Sequence, residues 1–401
     1  MRKIKLNPTK TQKETLNRFA SAARFTYNEC VAAINRREPA NKMKLRNAYV
    51  TAKGNAYFDA DDKAWLLDTP KVIRQQAAFE AAKNYKAAMT NWRNGNIDHF
   101  RMGFKTKKTQ KAKGYVLGIE KHLKFTPDPQ GGKGTLVILP ETIGPVRFFE
   151  KPPIADKPAS ECSLMRDAYG DFWLLVPVTK AVKPTTATAT LAIDPGVRTP
   201  FSCYSPDARQ ASLEGLDMKR RIEDVQRRVA ATDARLAAAP ANQRRKLLKH
   251  RLRLFRKYQR VRDDCHWKMI GAMTDAYGTV LLPHLETSRL CGGLRAKSNR
   301  QMFGISHYLF KQRMVEKCQE KSVRFVEADE AYTSKTCGAC GFIHAALGSS
   351  EVFRCPACGL RCHRDLHAAR NIYLRWICGG GGGNDGSGAD IAGVHAAPLA
   401  S

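Results

Sequence analysis

Residues 330–371 decide the fold of the C-terminal part of the chain. They read Glu330-Ala-Tyr-Thr-Ser-Lys-Thr, then Cys-Gly-Ala-Cys at 337–340, Cys-Pro-Ala-Cys at 355–358, and finally Asp365-Leu-His-Ala-Ala-Arg-Asn. Two C-x2-C pairs separated by fourteen residues are typical of a zinc site in which four thiolates close a tetrahedral shell. A glycine follows each pair, as a tight metal-binding turn requires. The spacing predicts a structural zinc ion with four ligands: Cys337, Cys340, Cys355 and Cys358.

One carboxylate lies on each side of this cysteine cluster, and a third follows an earlier apolar run. Glu330 comes after the run that begins at Val323, and Asp365 begins a helical pattern. Asp194 directly follows the apolar run 189–193. Because active sites of open α/β sheets lie at the carboxyl ends of the strands, these three acids are candidate site residues. Each alone has a structural alternative, namely an Asp-Pro-Gly turn, a helix cap or a solvated strand end.

The charge of the chain predicts its partner. There are 68 Lys and Arg residues against 37 Asp and Glu residues, so the formal net charge is +31 at pH 7. Such a field binds a polyanion and releases its counterions. Nucleic acid is therefore the predicted partner, and a solvated basic surface without a specific partner is the alternative.

The sequence also bears on the compartment. No apolar run approaches the roughly 20 residues of a membrane span, and the basic N-terminus lacks the apolar stretch of a signal peptide. Of the twelve cysteines, eight lie outside the predicted zinc site without a disulfide framework, which fits reduced thiols. We therefore expect an intracellular, soluble protein without a membrane partner.

Two helical patterns make residues 10–96 a predicted helical unit. The first covers about 11–37, where apolar residues recur at intervals of three and four. The second ends near Trp92, with Thr69 as its cap and Pro70 at its first helical position.

Short β-like runs separated by Gly and Pro fill most of residues 100–178, and residues 1–6 alternate like a strand. These runs predict a β-barrel formed by residues 1–9 and 97–180, into which the helical unit is inserted. The clearest runs are 135–139, 146–149 and 172–178. The basic cluster 105–113 is either a solvated loop or a contact with an RNA backbone.

After a predicted linker at 181–188, strands alternate with helices, which is typical of an open α/β sheet. The predicted strands are 189–193, 279–282 and 323–326, with a helix at 306–321. A helical hairpin is predicted over 216–277, broken near Pro240. Between Arg244 and Arg262 its second arm carries ten Arg or Lys residues and no acid. We expect this arm to meet phosphates with one face and to pack with the other, through Leu247, Leu248, Leu252, Phe255, Tyr258 and Val261.

Three segments together resemble the RuvC-like nucleases of transposon-encoded RNA-guided enzymes, the TnpB and Fanzor group, which is related to type V CRISPR effectors. They are Ile193-Asp-Pro-Gly-Val-Arg-Thr199, Tyr332-Thr-Ser-Lys-Thr-Cys337 with the four cysteines, and Arg364-Asp365 with Ala368-Ala-Arg-Asn-Ile372. The resemblance covers nearly the whole chain except the Gly-rich tail. Residues 23–28 and 69–74 look more like Fanzor proteins than typical bacterial relatives.

The resemblance implies an α/β, multidomain architecture and a metal-dependent DNA-cutting site. The implied parts are a β-barrel wedge domain (1–9 and 97–180), a helical recognition domain (10–96), a RuvC-like nuclease domain of the RNase H fold (189–330 and 363–378), a zinc-ribbon insert (331–362) and a disordered tail (379–401). The implied catalytic acids are Asp194, Glu330 and Asp365. Three carboxylates without a soft ligand suit Mg²⁺ or Mn²⁺.

The glutamate departs from the usual pattern of this group. In most relatives it ends the strand written here as 280–285, where Pro283 and His284 now stand. Glu286, three residues after Pro283, and Glu330, after the next strand, can each replace it, and we favour Glu330 because some relatives resemble that arrangement. His367 stands where relatives usually have Asn, which leaves the support of Asp365 open.

The function implied by the resemblance is RNA-guided DNA endonuclease. Its cofactors would be a structural Zn²⁺, catalytic Mg²⁺ or Mn²⁺ and a guide RNA, and its partners the guide RNA and double-stranded target DNA. We expect a monomer within a ribonucleoprotein, located in the nucleus in a eukaryote and otherwise in the cytoplasm or nucleoid. The alternatives are a nuclease-dead RNA-guided DNA-binding regulator and a guide-independent RNase H-like nuclease or transposase.

Overall fold

The structure is a computed structural model, and the chain divides into two compact units, Met1–Thr179 and Lys180–Ser401, each described by itself. Among the described residues, no helix is long and apolar enough to cross a membrane. The described residues are 1–53, 55–58, 63–127, 135–138, 142–152, 158, 160–196, 199–207, 218–283, 304–328, 332–348 and 350–379.

The helical part of the N-terminal unit contains α1 (Lys10–Asn35), α2 (Lys42–Tyr49) and α3 (Lys71–Arg93). Thr9 caps α1 in a capping box: its hydroxyl accepts from the Gln12 backbone N–H, and the Gln12 side chain accepts from the Thr9 N–H. Helices α1 and α3 confirm the two helical patterns of the sequence, whereas α2 was not predicted.

The predicted cap of the second helix is wrong. Pro70 occupies the N-cap position without a side-chain cap, and α3 begins at Lys71. Thr69 instead ends the short 3-10 helix Ala64–Asp68, and its carbonyl oxygen accepts a hydrogen bond from Arg74 Nε. Thr69, the residue predicted to cap α3, thus ends the preceding 3-10 helix instead.

Seven antiparallel strands form one sheet in the order β2-β6-β7-β1-β5-β4-β3. Alternate residues of β1, such as Ile4 and Leu6, enter a single apolar core to which all seven strands and α1 contribute. The three clearest β-like runs are confirmed as β4, β5 and β7. The order is linear in the described part of the unit, so closure into a barrel stays a prediction. The strands are β1 (Arg2–Asn7), β2 (Tyr115–Glu120), β3 (Lys124–Pro127), β4 (Thr135–Ile138), β5 (Pro145–Phe148), β6 (Cys162–Arg166) and β7 (Phe172–Val176).

Most of the basic cluster 105–113 is helical rather than a loop. Helix α4 covers Lys107–Lys113, and the Thr106 hydroxyl caps it by accepting from the Thr109 N–H. The expectation of a solvated loop is therefore wrong for these residues, while the contact with RNA stays a prediction.

The C-terminal unit is built on a four-stranded sheet in the order β11-β10-β8-β9. Strands β8, β10 and β11 are parallel and β9 is antiparallel, so the carboxyl ends of the parallel strands share one edge. This confirms the predicted α/β class and all three predicted strands. The strands are β8 (Thr190–Asp194), β9 (Ser202–Tyr204), β10 (Thr279–Pro283) and β11 (Arg324–Ala328).

Helices cover both faces of this sheet. Val280 and Leu282 of β10 pack into a core with α5, α6 and α7, whereas Leu281 points to the opposite face and packs with Ile372 of α8. The hairpin of α5 and α6 breaks at Pro240, as predicted. The helices are α5 (Met218–Ala238), α6 (Ala241–Ala276), α7 (His307–Lys321) and α8 (Arg364–Cys378).

The predicted linker 181–188 lies within the C-terminal unit, near its start. Within the predicted linker, Lys183 and Thr185 donate backbone hydrogen bonds to the last residues of α7, each at 2.9 Å. The domain boundaries drawn from the sequence stay predictions, and residues 380–401 of the expected tail lie outside the described residues.

Candidate active site and zinc ribbon

The four predicted zinc ligands come together. Their sulfur atoms all lie within 4.8 Å of one another, and the pairs Cys337–Cys358 and Cys340–Cys355 are each 3.6 Å apart. Zn–S bonds of about 2.3 Å in a tetrahedral shell separate the sulfur atoms by about 3.8 Å, whereas a disulfide requires about 2.05 Å. The cluster therefore fits a structural zinc ion and does not fit a disulfide pair.

Each C-x2-C pair forms the same turn. The Gly341 N–H donates to the Cys337 carbonyl at 2.9 Å, and the Gly359 N–H donates to the Cys355 carbonyl at 3.0 Å. Both glycines have φ near +75°, a region that L side chains rarely adopt. The glycines identified from the sequence are thus the residues that let each turn close. The hairpin of β12 (Val352–Arg354) and β13 (Arg361–His363) completes the ribbon, which we define as residues 332–363.

The first cysteine turn packs against one side of α8. Gly338 donates its N–H to His367 Nε2 at 3.1 Å, and its carbonyl accepts from Arg370 Nη1 at 2.9 Å. Phe353 of β12 stacks on the His367 ring with centroids 4.6 Å apart. His367 is fully buried, and burial lowers its pKa; its Nε2 also lies 3.0 Å from the Thr336 carbonyl oxygen, so the ring contacts both the first cysteine turn and the turn before it. The residue that replaces the usual Asn thus supports the ribbon.

Asn371 fixes the turn that precedes the cysteines. Its Nδ2 donates to the carbonyl oxygens of Thr333 and Thr336, each at 2.7 Å. The side chain is 6% exposed, so these bonds replace bonds that water would otherwise make. Sequence reasoning identified Asn371 only as part of a motif, because its partners are 35 and 38 residues away along the chain.

Two of the three candidate catalytic acids lie at neighbouring positions of the C-terminal unit. Asp194 is the last residue of β8, and Asp365 lies in the first turn of α8, which packs on β8 and β9. The Thr199 hydroxyl, five residues after Asp194, donates to Asp365 Oδ2 at 3.2 Å. Both acids are partly exposed, so an ion could reach their carboxylates. Sequence reasoning assigned no role to the Thr199 hydroxyl.

The third acid cannot be placed in the same way. Glu330 and the alternative Glu286 both lie outside the described residues. Strand β11, which precedes Glu330, ends at Ala328, and β10, which precedes Glu286, ends at Pro283. Metal binding by Glu330, or by Glu286 in its place, stays a prediction.

Two further histidines, His284 and His307, are expected from the sequence to be surface or packing residues rather than ligands. His307 is 4% exposed and packs edge-on against Phe201 with ring centroids 5.3 Å apart. Burial lowers its pKa to about 4, which fits the predicted packing role. His284 lies outside the described residues.

The basic arm of the hairpin exposes most of its charge. Arg251 pairs with Asp233 of α5, but the other side of the arm faces solvent. The expectation that Leu248 and Leu252 pack is wrong, since they are 46% and 44% exposed. The first buried residue of α6 is Leu254, because only the later part of the helix reaches the core. The exposed cations are Arg244, Arg245, Lys246, Lys249, Arg253, Lys257 and Arg260.

A cavity of about 210 Å³ lies in the N-terminal unit between α1, α3, α4 and β2. Charged and polar side chains line it together with apolar ones. Arg24 Nε donates to Gln110 Oε1 at 2.9 Å, and Lys105 pairs with Glu80 at 2.6 Å. These groups offer both donors and acceptors to a polar ligand.

Comparison with known families and proteins places the chain. The Cas12f1-like, TNB domain family matches residues 307–372, which include the four cysteines and Asp365, and a helix-turn-helix domain family of IS605 OrfB matches residues 1–42. A putative transposase, A625R of Paramecium bursaria Chlorella virus 1, is 48% identical over 383 residues, 94% of this chain and 86% of the relative. The TnpB-like protein L770 of Acanthamoeba polyphaga mimivirus is 24% identical over 92% of this chain and 72% of its own length.

The chain therefore belongs to the TnpB-like transposase family, as the sequence motifs indicated. A more local similarity links it to the CRISPR-associated endodeoxyribonuclease Cas12f1 of Sulfoacidibacillus thermotolerans, which is 30% identical over 105 residues, 26% of this chain and 23% of that protein.

Proposed function

We propose that this protein is an RNA-guided DNA endonuclease that finds its target beside a short flanking motif and cleaves it by divalent-metal-dependent phosphodiester hydrolysis. The observation that carries the proposal is the position of Asp194 at the end of β8 and of Asp365 at the start of α8, a helix that packs on β8, with the Thr199 hydroxyl donating to Asp365. The local similarity of this chain to a relative named as an endodeoxyribonuclease supports a nuclease activity.

Three acids would hold the catalytic ion: Asp194, Glu330 and Asp365. Mg²⁺ and Mn²⁺ prefer carboxylate oxygens, and such an ion, when bound, activates the attacking water and stabilises the leaving oxygen. Thr199 orients the Asp365 carboxylate by donating to one of its oxygens. Asp194 is held at the end of a central strand, so its position is fixed by the sheet.

The exposed cations of α6 would contact the guide RNA and its heteroduplex with target DNA. Phosphate contacts of this kind position a duplex without reading its sequence, which base pairing with the guide would supply. Seven exposed Lys and Arg residues on one arm support this role, as does the net charge of +31.

The cavity of the N-terminal unit is our candidate for reading the flanking motif. Base edges are recognised by pairs of donors and acceptors, and Arg24, Gln110, Lys105 and Glu80 supply both. The Gln110 side chain accepts a hydrogen bond from Arg24 Nε and donates one to the Ala20 carbonyl, so it holds Arg24 in place. A Gln110→Ala change should therefore relax the preference for the flanking motif.

The first experiment identifies the RNA. The chain is expressed with the DNA that flanks its own gene, purified at high salt, and the bound RNA is sequenced and its mass ratio to protein measured. We expect one discrete structured RNA with a variable end, bound to one protein chain. A random mixture of RNA would contradict guidance and favour a guide-independent nuclease or transposase.

The second experiment tests cleavage of a matched target with Mg²⁺. Asp194→Asn and Asp365→Asn should abolish cutting while guided binding persists. Glu316→Gln is the matched control, since this exposed acid of α7 lies outside the site. Glu330→Gln should also abolish cutting, whereas Glu286→Gln should not. A wild-type protein that binds the guided target but never cuts it would instead be an RNA-guided DNA-binding regulator.

A further inference from the structure

Two sides of helix α8 contact different parts of the C-terminal unit. Its sheet-facing side carries Asp365, Ala368, Ala369 and Ile372, spaced by three and four residues, and the last three are buried. Its ribbon-facing side carries His367, Arg370 and Asn371, which hold the first cysteine turn and the turn before it. The same rigid helix therefore touches both the candidate catalytic site and the zinc ribbon.

The ribbon also fixes the start of α8, one residue before Asp365. The Arg364 N–H, which has no partner within a helix at this position, donates to the Glu351 carbonyl at 2.8 Å. Arg364 Nη1 donates to the Gly348 carbonyl at 2.8 Å. Glu351 and Gly348 both belong to the ribbon, so the ribbon contacts α8 at its first residue and again one to two turns later.

Asn371 makes the tightest of these contacts. Its two hydrogen bonds of 2.7 Å hold Thr333 and Thr336, and the Tyr332 carbonyl accepts from the Lys335 and Thr336 N–H groups at 2.9 Å each. The turn 332–336 is thus closed on itself and clamped to α8. Asn371 lies six residues after Asp365, which is about 9 Å along a helix.

We propose that Asn371 is a positioning residue through which the zinc ribbon controls the affinity of the Asp194–Asp365 site for its divalent ion. The inference rests on the proposed metal-dependent function. Asn371 touches neither a substrate nor the reacting atoms in this proposal; it fixes the turn that precedes the cysteines on the helix that carries Asp365. Residues that hydrogen-bond directly to a metal ligand typically contribute about 10- to 100-fold to metal affinity, and because Asn371 acts through the helix instead, we expect its effect at the lower end of this range.

Asn371→Asp is the sharpest test of this role. The replacement keeps the size of the side chain but turns a donor into a carboxylate oxygen facing two carbonyl oxygens. Cys378→Ala, at the exposed last residue of α8, is the matched control. Cys340→Ser removes one zinc ligand directly, and the double variant Asn371→Asp/Cys340→Ser completes a mutant cycle.

The readouts are Mn²⁺ affinity of the full-length protein, zinc content, and hydrogen exchange of the α8 peptides. The Mn²⁺ site is first defined as the one that Asp194→Asn removes. Without such a site the proposed function fails, and this outcome is recognised before any Asn371 variant is measured. Circular dichroism confirms that each variant keeps its helices.

We expect Asn371→Asp to weaken Mn²⁺ binding about 10-fold and to speed exchange in α8, while Cys378→Ala behaves as wild type. Cys340→Ser should weaken Mn²⁺ binding similarly, and the double variant should be no weaker than the worse single variant, because both act through one contact. Loss of zinc from Asn371→Asp together with weaker Mn²⁺ binding supports the same coupling. Unchanged Mn²⁺ affinity in Asn371→Asp, or additive losses in the double variant, would overturn the proposal.

Discussion

Replacing Gly338 by alanine should loosen the zinc ribbon, because no room exists for a methyl group between the first cysteine turn and α8. A Cβ at this position would lie 2.4 Å from Asn371 Oδ1, 2.5 Å from Arg370 Nη1 and 3.2 Å from His367 Cε1. Arg370 and Asn371 are 5% and 6% exposed, so neither can swing into solvent to make space.

The size of the effect follows from the distance that the turn must move. Ordinary contact begins near about 3.5 Å, so the turn must retreat by about 1 Å. Its hydrogen bonds to His367 and Arg370, now 3.1 and 2.9 Å, would then exceed hydrogen-bond length. If the turn retreats, losing two net hydrogen bonds costs about 2 kcal/mol; if it stays, overpacking costs about 1–3 kcal/mol. Because these costs are alternatives and do not add, we expect a loss of about 2–3 kcal/mol.

Zinc affinity reports this loss, because zinc binding and folding of a ribbon are coupled. A loss of about 2–3 kcal/mol corresponds to a zinc affinity weaker by roughly 30- to 150-fold. The assay is competition with a chromophoric chelator. Gly348→Ala is the control, since a Cβ there meets nothing within 4 Å. If Gly338→Ala holds zinc as tightly as Gly348→Ala, the close packing of the turn on α8 is refuted.

Three further predictions use other parts of the chain. Changing Arg253, Lys257 and Arg260 together to Gln should reduce the slope of log affinity for guide RNA against log salt by about 2–3, measured by filter binding, and an unchanged slope would place the RNA elsewhere. Burial, and after it the charge of Arg313, lowers the pKa of His266 to about 3 in the folded protein. The histidine of the unfolded chain is therefore protonated first as the pH falls, and the folded state loses stability below about pH 6.5. Urea unfolding should show a loss of about 2 kcal/mol from this group between pH 6.5 and 5, and His266→Gln should lose less; equal losses would assign the acid sensitivity to other groups. Thr199→Val should weaken Mn²⁺ binding several-fold while Thr199→Ser restores it, and equal behaviour of the two variants would show that the hydroxyl does not orient Asp365.

Local patterns were enough to predict the cysteine cluster and the strand that ends at Asp194. The cysteine spacing gave the four thiols and the two glycine turns, and the apolar run before Asp194 gave a central parallel strand. These features depend on residues close in sequence. The hairpin broken at Pro240 was also predictable, because proline ends one helix and begins another.

The errors arose where the outcome depends on tertiary neighbours. Helical periodicity identifies an apolar face, but it does not say whether another element covers that face, and Leu248 and Leu252 therefore stayed exposed. Thr69 has the chemistry of a cap, yet a preceding 3-10 helix uses it. The clamp from Asn371 joins residues 35 and 38 positions apart, a pairing that no local pattern contains.

Strand order and the hydrogen bonds of Asn371 favour different glutamates, Glu286 and Glu330, as the third metal ligand. Strand β10 lies directly beside β8, whereas β11 is one strand further, at about 9.6 Å from β8 for a strand spacing of about 4.8 Å. Strand order alone therefore favours Glu286, which follows β10.

The Asn371 clamp argues for Glu330. It binds Thr333 to α8, and Glu330 is only three residues before Thr333, a tether of at most about 11 Å. Strand β11 ends two residues before Glu330 and the turn 332–336 begins two residues after it, so the described segments on both sides of this residue are fixed in the fold. For this reason we retain Glu330 as the proposed third ligand, which would make the ribbon part of the metal site.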